Sequence, residues 1–508
     1  MFAQVLSSAV VGLDGVLLEV ETDILNGLPA FNVVGLADRA VEESKERVRS
    51  ALLNSGAYLP SKRITVNLAP ADLPKEGPSF DLPIAISILI ASEQLKADVS
   101  DALFLGELSL NGNLRHSKGV LPIALFAKEK GFKNIYIPEE NVNEAAVVDT
   151  VNIYPVKNLK QLYFHLTNQK LIEKKEHVPY SEEGFEKDSA FDMKDVKGQE
   201  FAKRALEIAA AGGHNILLKG PPGAGKTLLA RSLPSILPPL VFEEALEVTK
   251  IYSIAGLLGK QPIIKKRPFR NPHHTTSYVG LIGGSANPKP GEISLCHRGV
   301  LFLDEFPEFS RQVLEAMRQP MEDGSVVISR ARDRVTFPTR FMLVAALNPC
   351  PCGFFGDKTH ECTCSPSQIL KYQKKISGPL LDRIDIHVDV PPVKVEKITG
   401  EDEALETSDK IRARVKKARK RQSERFKGSK IVANSDMGAR EIKNFCKLEK
   451  EALELAKNAM IKLCLSARSY HKLIKIAQTI SDLEGKEQVS KNHILEALQY
   501  RPRSYFER

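Results

Sequence analysis

The octapeptide Gly220-Pro221-Pro222-Gly223-Ala224-Gly225-Lys226-Thr227 constrains this chain more than any other stretch, because it satisfies the Gly-x-x-x-x-Gly-Lys-Thr phosphate loop at every specified position. The chemistry sets the residue types. Glycines let successive backbone N–H groups close around phosphate oxygens, Lys226 reaches the β- and γ-phosphates, and the Thr227 hydroxyl joins a Mg²⁺ shell. The flanks agree: Ile216-Leu217-Leu218 predicts a short buried strand, and Leu228-Leu229-Ala230 opens a helix whose N-terminus favours anions. A Gly/Pro turn explains the octapeptide alone but not the strand before it and the helix after it. The expected ligand is ATP with Mg²⁺.

Two carboxylates extend this reading from binding to hydrolysis. Val300-Leu301-Phe302-Leu303-Asp304-Glu305 is an apolar strand that ends in acids, which places Asp304 to hold Mg²⁺ and Glu305 to polarise an attacking water. In isolation the run reads as a buried strand capped by solvated acids. Downstream of a phosphate loop it reads as a Walker B motif. The next strand, Phe341 to Leu347, ends at Asn348, whose amide can orient the lytic water or meet the γ-phosphate; Asn-Pro is also an ordinary turn signal.

Length and charge bound the rest. The 508 residues and 43% hydrophobic content suit about three packed domains. The longest apolar run, Leu82 to Ala91, is shorter than the roughly 20 residues that span a bilayer, and Met1-Phe2-Ala3-Gln4 opens without a basic leader. A soluble, cytoplasmic protein without a membrane partner is expected. The formal charge of +9 favours a polyanionic partner, although nucleotide phosphate and plain solubility account for part of such an excess. Seven cysteines, an odd number, speak against a disulfide framework.

Residues 1–165 alternate short apolar strands, such as Ile64 to Leu68 and Leu103 to Leu105, with helical stretches at Ala40 to Leu53 and Val120 to Lys130, which predicts an α/β or α+β domain. Residues 166–189 turn polar and charged and read as a linker. Residues 190–395 carry the nucleotide motifs on strands separated by helical segments, the pattern of a parallel sheet with crossovers. Residues 396–508 read as helical, with a strongly basic run from Ser408 to Lys427 that is either a DNA-facing surface or a solvated helix.

Four cysteines cluster. Cys350-Pro351-Cys352 and Cys362-Thr363-Cys364 enclose a Gly-rich connection, and four thiolates at this spacing suit a tetrahedral structural Zn²⁺, with no open position for catalysis. His360 is a competing ligand, and four reduced thiols without metal is the plain alternative. Cys296, Cys446 and Cys464 are isolated and read as core residues.

These motifs together resemble the AAA+ ATPases, and within them the magnesium-chelatase-like branch. The resemblance implies an α/β P-loop core with a parallel sheet, followed by an all-helical lid. It gives Asn348 the sensor 1 position, Arg383 in Leu380-Leu381-Asp382-Arg383-Ile384-Asp385 the arginine finger, and Arg468 in Leu465-Ser466-Ala467-Arg468 sensor 2. A finger supplies positive charge to a neighbouring subunit's transition state, so hydrolysis requires an oligomer. Arg383 can equally pair with Asp382 or Asp385. The Pro-, Gly-, Asn- and His-rich segment Pro268 to Gly291 reads as an inserted loop, which the resemblance aims at a central pore. Asp323 to Phe337 reads as a hairpin with Arg330 and Arg332 near its tip, suited to a phosphodiester backbone or simply to solvent.

Pro74-Lys75-Glu76-Gly77-Pro78-Ser79 and the segment Gly106 to Pro138 resemble Lon-type proteases. The serine there needs a lysine base, and the matching turn at Leu121 to Ile123 contains none; Lys118 lies outside it. A non-proteolytic Lon-like domain is expected. Across essentially the whole chain the sequence resembles the YifB/ComM family, through Gly27 to Phe31, Arg63 to Asp81, Arg270-Asn271-Pro272-His273-His274-Thr275-Thr276, Gly291 to Ser294 and Leu465 to Leu483. That resemblance implies a hexameric, ATP-driven motor that promotes branch migration of single-stranded or branched DNA in recombination and transformation. The alternatives are a chelatase-like protein- or cofactor-remodelling ATPase and, less favoured by the missing lysine, a Lon-like serine protease.

Overall fold

Strict alternation along Asp14–Leu25, with Leu18, Val20, Thr22 and Ile24 buried, makes this strand the spine of the first sheet. The computed structural model describes all residues except 36–38, 74, 76, 182–190, 260, 285–288, 330–333, 358–359, 394–404, 430 and 503–508. It divides into two units, Met1–Glu183 with Val241–Lys265, and Gly184–Leu240 with Lys266–Arg508.

In the first unit Asp14–Leu25 pairs antiparallel with Phe2–Val11 and with Arg63–Ala69, which in turn runs parallel to Ala30–Val34. The longest apolar run of the chain folds as helix Asp81–Ala91, buried at every residue but Ile90. A second, parallel sheet orders Ala102–Phe104, Asn134–Pro138 and Asn152–Val156, and Phe104, Tyr136 and Tyr154 stack across it with ring centroids 4.8 and 5.0 Å apart. The unit is α+β, one of the two classes that its mixture of period-2 and helical patterns predicts.

Two segments depart from the sequence-based division. Val241–Lys265, placed by sequence inside the nucleotide domain, packs in the first unit. Its helix Phe242–Ala255 is anchored by Ser253, whose hydroxyl donates to buried Glu144 at 2.6 Å and whose carbonyl accepts from Gly119 N–H at 3.2 Å. Burial raises the pKa of Glu144 against the pull of the hydrogen bonds it accepts from Ser253 and Asn141. The stretch expected as a linker at 166–189 begins as bound chain: Ile172 is buried, and the N–H groups of Lys175 and Val178 donate to Ile153 and Ala146 carbonyls, each at 2.8 Å. Main-chain hydrogen bonds hold it, and these leave no periodicity in the side chains. Residues 182–189 lie outside the described part.

The second unit is built on five parallel strands, β1 (Ile216–Lys219), β2 (Phe269–Arg270), β3 (Val300–Leu303), β4 (Met342–Leu347) and β5 (Ile386–Asp389), in the order β2-β3-β4-β1-β5. Near-continuous apolar strands are what a parallel sheet covered on both faces demands, and every residue of β3 and β4 is buried. The order sets β3, β4 and β1 side by side, so their carboxyl ends form one crevice. The segment Pro268 to Gly291, expected as a loop, contains the edge strand β2, helix Tyr278–Ile282 and a short ladder of Gly283–Gly284 with Lys289–Pro290. Elements this short carry too few residues to show a period.

Ser325–Ser329 and Arg334–Pro338 form the expected antiparallel hairpin; Arg330 and Arg332 fall outside the described residues. The C-terminal part is helical, with helices Ser408–Arg425, Ala439–Phe445, Lys450–Lys462, Ala467–Glu484 and Lys491–Gln499. The basic run folds as the first of these, and four of its arginines are engaged inside the unit. Arg412 donates to Ser235 O at 3.0 Å, Arg414 to Glu207 at 2.6 Å, Arg419 to Ala210 O at 2.9 Å and Arg425 to buried Asp482 at 2.9 Å. Cys296 and Cys446 are core residues, whereas Cys464 is exposed on the turn before Ala467–Glu484, against expectation. Among the described residues no helix is long and apolar enough to cross a membrane.

Candidate ATPase site

The phosphate loop runs from the carboxyl end of β1 into helix Lys226–Ile236. Gly223 and Gly225 take φ of +77° and +87°, left-handed values that a side chain would strain. Lys226 is buried, and its ammonium donates to Gly220 O at 2.7 Å, Pro221 O at 2.8 Å and Asn348 Oδ1 at 3.1 Å. Desolvation lowers the Lys226 pKa, with Asp304 opposing the shift. Thr227 Oγ1 donates to Asp304 Oδ2 at 2.8 Å. Lys226, Thr227, Asp304 and Asn348, picked from three separate stretches, therefore meet in one crevice. A hydroxyl and a carboxylate in contact beside a phosphate loop are a suitable ligand pair for Mg²⁺, a hard cation that takes few protein oxygens and several waters.

Glu305 follows Asp304 with φ of +51°, and its N–H donates to Asp304 Oδ1 at 3.0 Å. This left-handed step turns its carboxylate out of the strand; the side chain is 56% exposed and its Oε2 lies 3.3 Å from Nδ1 of His274. His274 was not picked from the sequence as a site residue. It follows β2 and stacks on His273 with centroids 4.1 Å apart, and the paired histidines of Pro272-His273-His274-Thr275 were the available signal. Arg270 of β2 is held by Glu292 through two contacts at 2.5 and 2.7 Å, which fixes the strand that delivers His274.

Arg383 and Arg468 lie elsewhere. Arg383 precedes β5, and its carbonyl accepts from the Asn215 side chain at 3.0 Å; Asn215 itself precedes β1. Arg383 therefore sits at the amino end of the sheet, and the helix of Arg468 reaches the same end through Lys472, which donates to Ile384 O at 2.9 Å, whereas the phosphate loop sits at the carboxyl ends. Arg383 pairs with Glu322 rather than with Asp382 or Asp385, and Arg468 reaches the same carboxylate at 3.3 Å. Asp385 instead accepts from Asn215 N–H at 3.2 Å.

The four cysteines come together as the spacing suggests. The sulfurs of Cys350, Cys352, Cys362 and Cys364 lie within 4.8 Å of one another, with three pairs at 3.3, 3.5 and 3.7 Å. Tetrahedral thiolates at a Zn–S bond of about 2.3 Å stand about 3.8 Å apart, so the donor set fits Zn²⁺. His360 is not among them; its ring lies over Phe354, centroids 4.9 Å apart.

The comparisons with known proteins agree along the chain. Residues 192–398 match the family described as magnesium chelatase, subunit ChlI, residues 20–141 its ChlI subunit model and residues 405–501 its C-terminal model. The chain is 46% identical over 502 residues to the competence protein ComM of Haemophilus influenzae, covering 98% of this chain and 97% of that protein. The chain belongs to the YifB/ComM family of magnesium-chelatase-like proteins. It is likewise 42% identical over 494 residues to the uncharacterized protein YifB of Salmonella typhimurium, covering 97% and 96% of the two chains. The chain is thus an AAA+ ATPase of the YifB/ComM family, and the crevice at β1, β3 and β4 is its candidate nucleotide site.

A weaker likeness connects the N-terminal region to Lon protease 2 of Bacillus subtilis, 27% identical over 187 residues, 33% of this chain and 34% of that protein. In this family member Leu121 and Ile123 are buried at the start of helix Val120–Lys130, where Lon-type enzymes carry their lysine. Lys118 packs instead on Gly256, where an added Cβ would meet its Cε at 2.6 Å. Asp81, two residues after Ser79, is held at 2.7 and 3.0 Å by Arg47 and accepts from Leu108 N–H at 3.2 Å, so its carboxylate is structural.

Proposed function

We propose that this protein is a homo-oligomeric ring motor, of hexameric type, in which ATP turnover drives movement on single-stranded or branched DNA. One observation supports the ring: two guanidiniums stand at the end of the sheet opposite their own phosphate loop. The length of the parallel strands separates them from the phosphate loop of their own subunit, and a neighbour stacked on that edge would receive both. Each site then contains Lys226, Thr227, Asp304, Glu305 and Asn348 of one subunit, completed by Arg383 and Arg468 of the next.

Within a site, the loop amides and Lys226 hold the triphosphate and Glu305 orients and deprotonates the attacking water. Asn348, already bonded to Lys226, senses the γ-phosphate. Thr227 and Asp304 would hold Mg²⁺, which would supply neutralisation of phosphate charge. Cys350, Cys352, Cys362 and Cys364 would hold Zn²⁺, which would close the loop between Asn348 and the segment that presents Arg383. The DNA reading is supported by full-length similarity to a competence protein, by the net charge and by the hairpin before β4; Arg330 and Arg332, between its two strands in the sequence, are the proposed backbone contacts. The basic helix Ser408–Arg425 contributes little, because so many of its arginines are bonded within the unit.

The test is ATP hydrolysis with and without single-stranded and four-way-junction DNA across a salt series. The motor reading expects DNA to stimulate turnover and binding to weaken steeply with salt. Hydrolysis indifferent to DNA, with no salt-sensitive binding, would favour a chelatase-like remodelling ATPase.

A further inference from the structure

Two guanidiniums from different parts of the second unit converge on one oxygen. Arg383, after the turn Gly378–Leu381, places Nη2 on Oε1 of Glu322, and Arg468, at the start of Ala467–Glu484, places Nη2 3.3 Å from the same atom. Like charges this close repel, and the carboxylate between them removes that cost. Arg383 is further fixed by donating Nη1 to Pro379 O at 2.5 Å, which leaves its buried Nε without a partner. Its side chain is 9% exposed, against 45% for Glu322 and 48% for Arg468. The hydrogen bond from Arg383, with the charge of both arginines, holds the Glu322 pKa below the usual carboxylate range, so the carboxylate stays ionised between them.

We propose that Glu322 is a positioning residue that binds Arg383 and Arg468 into a single two-guanidinium clamp for the nucleotide of the neighbouring subunit. The inference rests on the reading above that both arginines act across the interface. A guanidinium carries five N–H donors. The shared oxygen takes one from each and Pro379 O takes a second from Arg383, so each guanidinium still has Nη donors for phosphate oxygens, and the two are held together before the neighbour arrives. Preorganisation of this kind lowers the barrier because no reorientation is needed as charge develops. Glu322 also lies on helix Arg318–Asp323, which leads through Gly324 into the hairpin Ser325–Ser329 and Arg334–Pro338. The clamp is thereby joined to the element that the motor reading places on DNA.

The test uses full-length Glu322→Ala and Glu322→Gln, each alone and mixed with Lys226→Ala subunits, with Arg383→Ala in parallel. For Glu322→Ala we expect kcat to fall about tenfold with an unchanged KM for ATP and an unchanged oligomer size. Glu322→Gln, which keeps an acceptor oxygen but not the charge, should fall less. Lys226→Ala subunits are inactive but carry an intact clamp, so mixing should restore turnover to Glu322→Ala and to Arg383→Ala alike. Wild-type kcat in Glu322→Ala would overturn the proposal. So would a loss that mixing leaves in place while Arg383→Ala is rescued, since Glu322 would then serve only the fold of its own subunit. Failure to rescue Arg383→Ala defeats the interface reading itself, and the clamp with it.

Discussion

Gly353 of the cysteine loop lies against Pro222 of the phosphate loop: with φ of +89°, an added Cβ would stand 2.5 Å from Pro222 Cδ. The contact joins the proposed zinc loop to the residue that shapes the phosphate cradle. Gly353→Ala imposes a left-handed strain of about 1–2 kcal/mol and displaces Pro222. KM for ATP should rise about tenfold with zinc content unchanged. A wild-type KM would show that the cradle does not depend on this contact.

Glu305→Gln should keep nucleotide affinity and lose turnover by about 10²–10⁴-fold, because the amide retains the shape but cannot accept the proton of the lytic water. Equilibrium binding of a fluorescent ATP analogue beside phosphate release separates the two effects. Weak binding together with weak turnover would place Glu305 in the ground-state site instead.

His274→Ala removes the imidazole that stands 3.3 Å from Glu305 Oε2. A residue that orients the general base changes kcat and not affinity, so kcat should drop several-fold, roughly threefold to tenfold, at constant KM. Unchanged kcat would make the contact incidental to hydrolysis.

The residues legible in the sequence were those whose chemistry is fixed by local spacing. Gly220 to Thr227, Asp304-Glu305 and the paired Cys-x-Cys motifs each announce a geometry within a few positions, and the sheet order brings the first two together with Asn348. Glu322 was not legible, and His274 was marked only as one of two adjacent histidines. Each acquires its role from a partner remote in sequence, His274 from Glu305 and Glu322 from Arg383 and Arg468, and no periodicity encodes such a meeting. The docking of Phe242–Ala255 in the first unit was hidden for the same reason, since its Ser253 is an ordinary helix residue until Glu144 is placed beside it.

Metal analysis of the purified protein should find one Zn²⁺ per chain, absent in Cys362→Ser. A four-thiolate zinc contributes folding free energy directly, so the melting temperature should fall with the metal. Assembly or ATP turnover should fall too, because the loop lies between Asn348 and Arg383. Zinc removal that leaves both intact would contradict a role in presenting the finger.

Movement of a DNA branch point is the most direct measurement. A synthetic four-way junction with homologous arms is incubated with wild-type protein, Mg²⁺ and ATP, and with Glu305→Gln in parallel. Wild-type protein is expected to move the junction to separated duplexes only while ATP is hydrolysed, and Glu305→Gln to bind the junction and leave it in place. A wild-type protein that hydrolyses ATP and binds the junction yet never moves it would contradict the account.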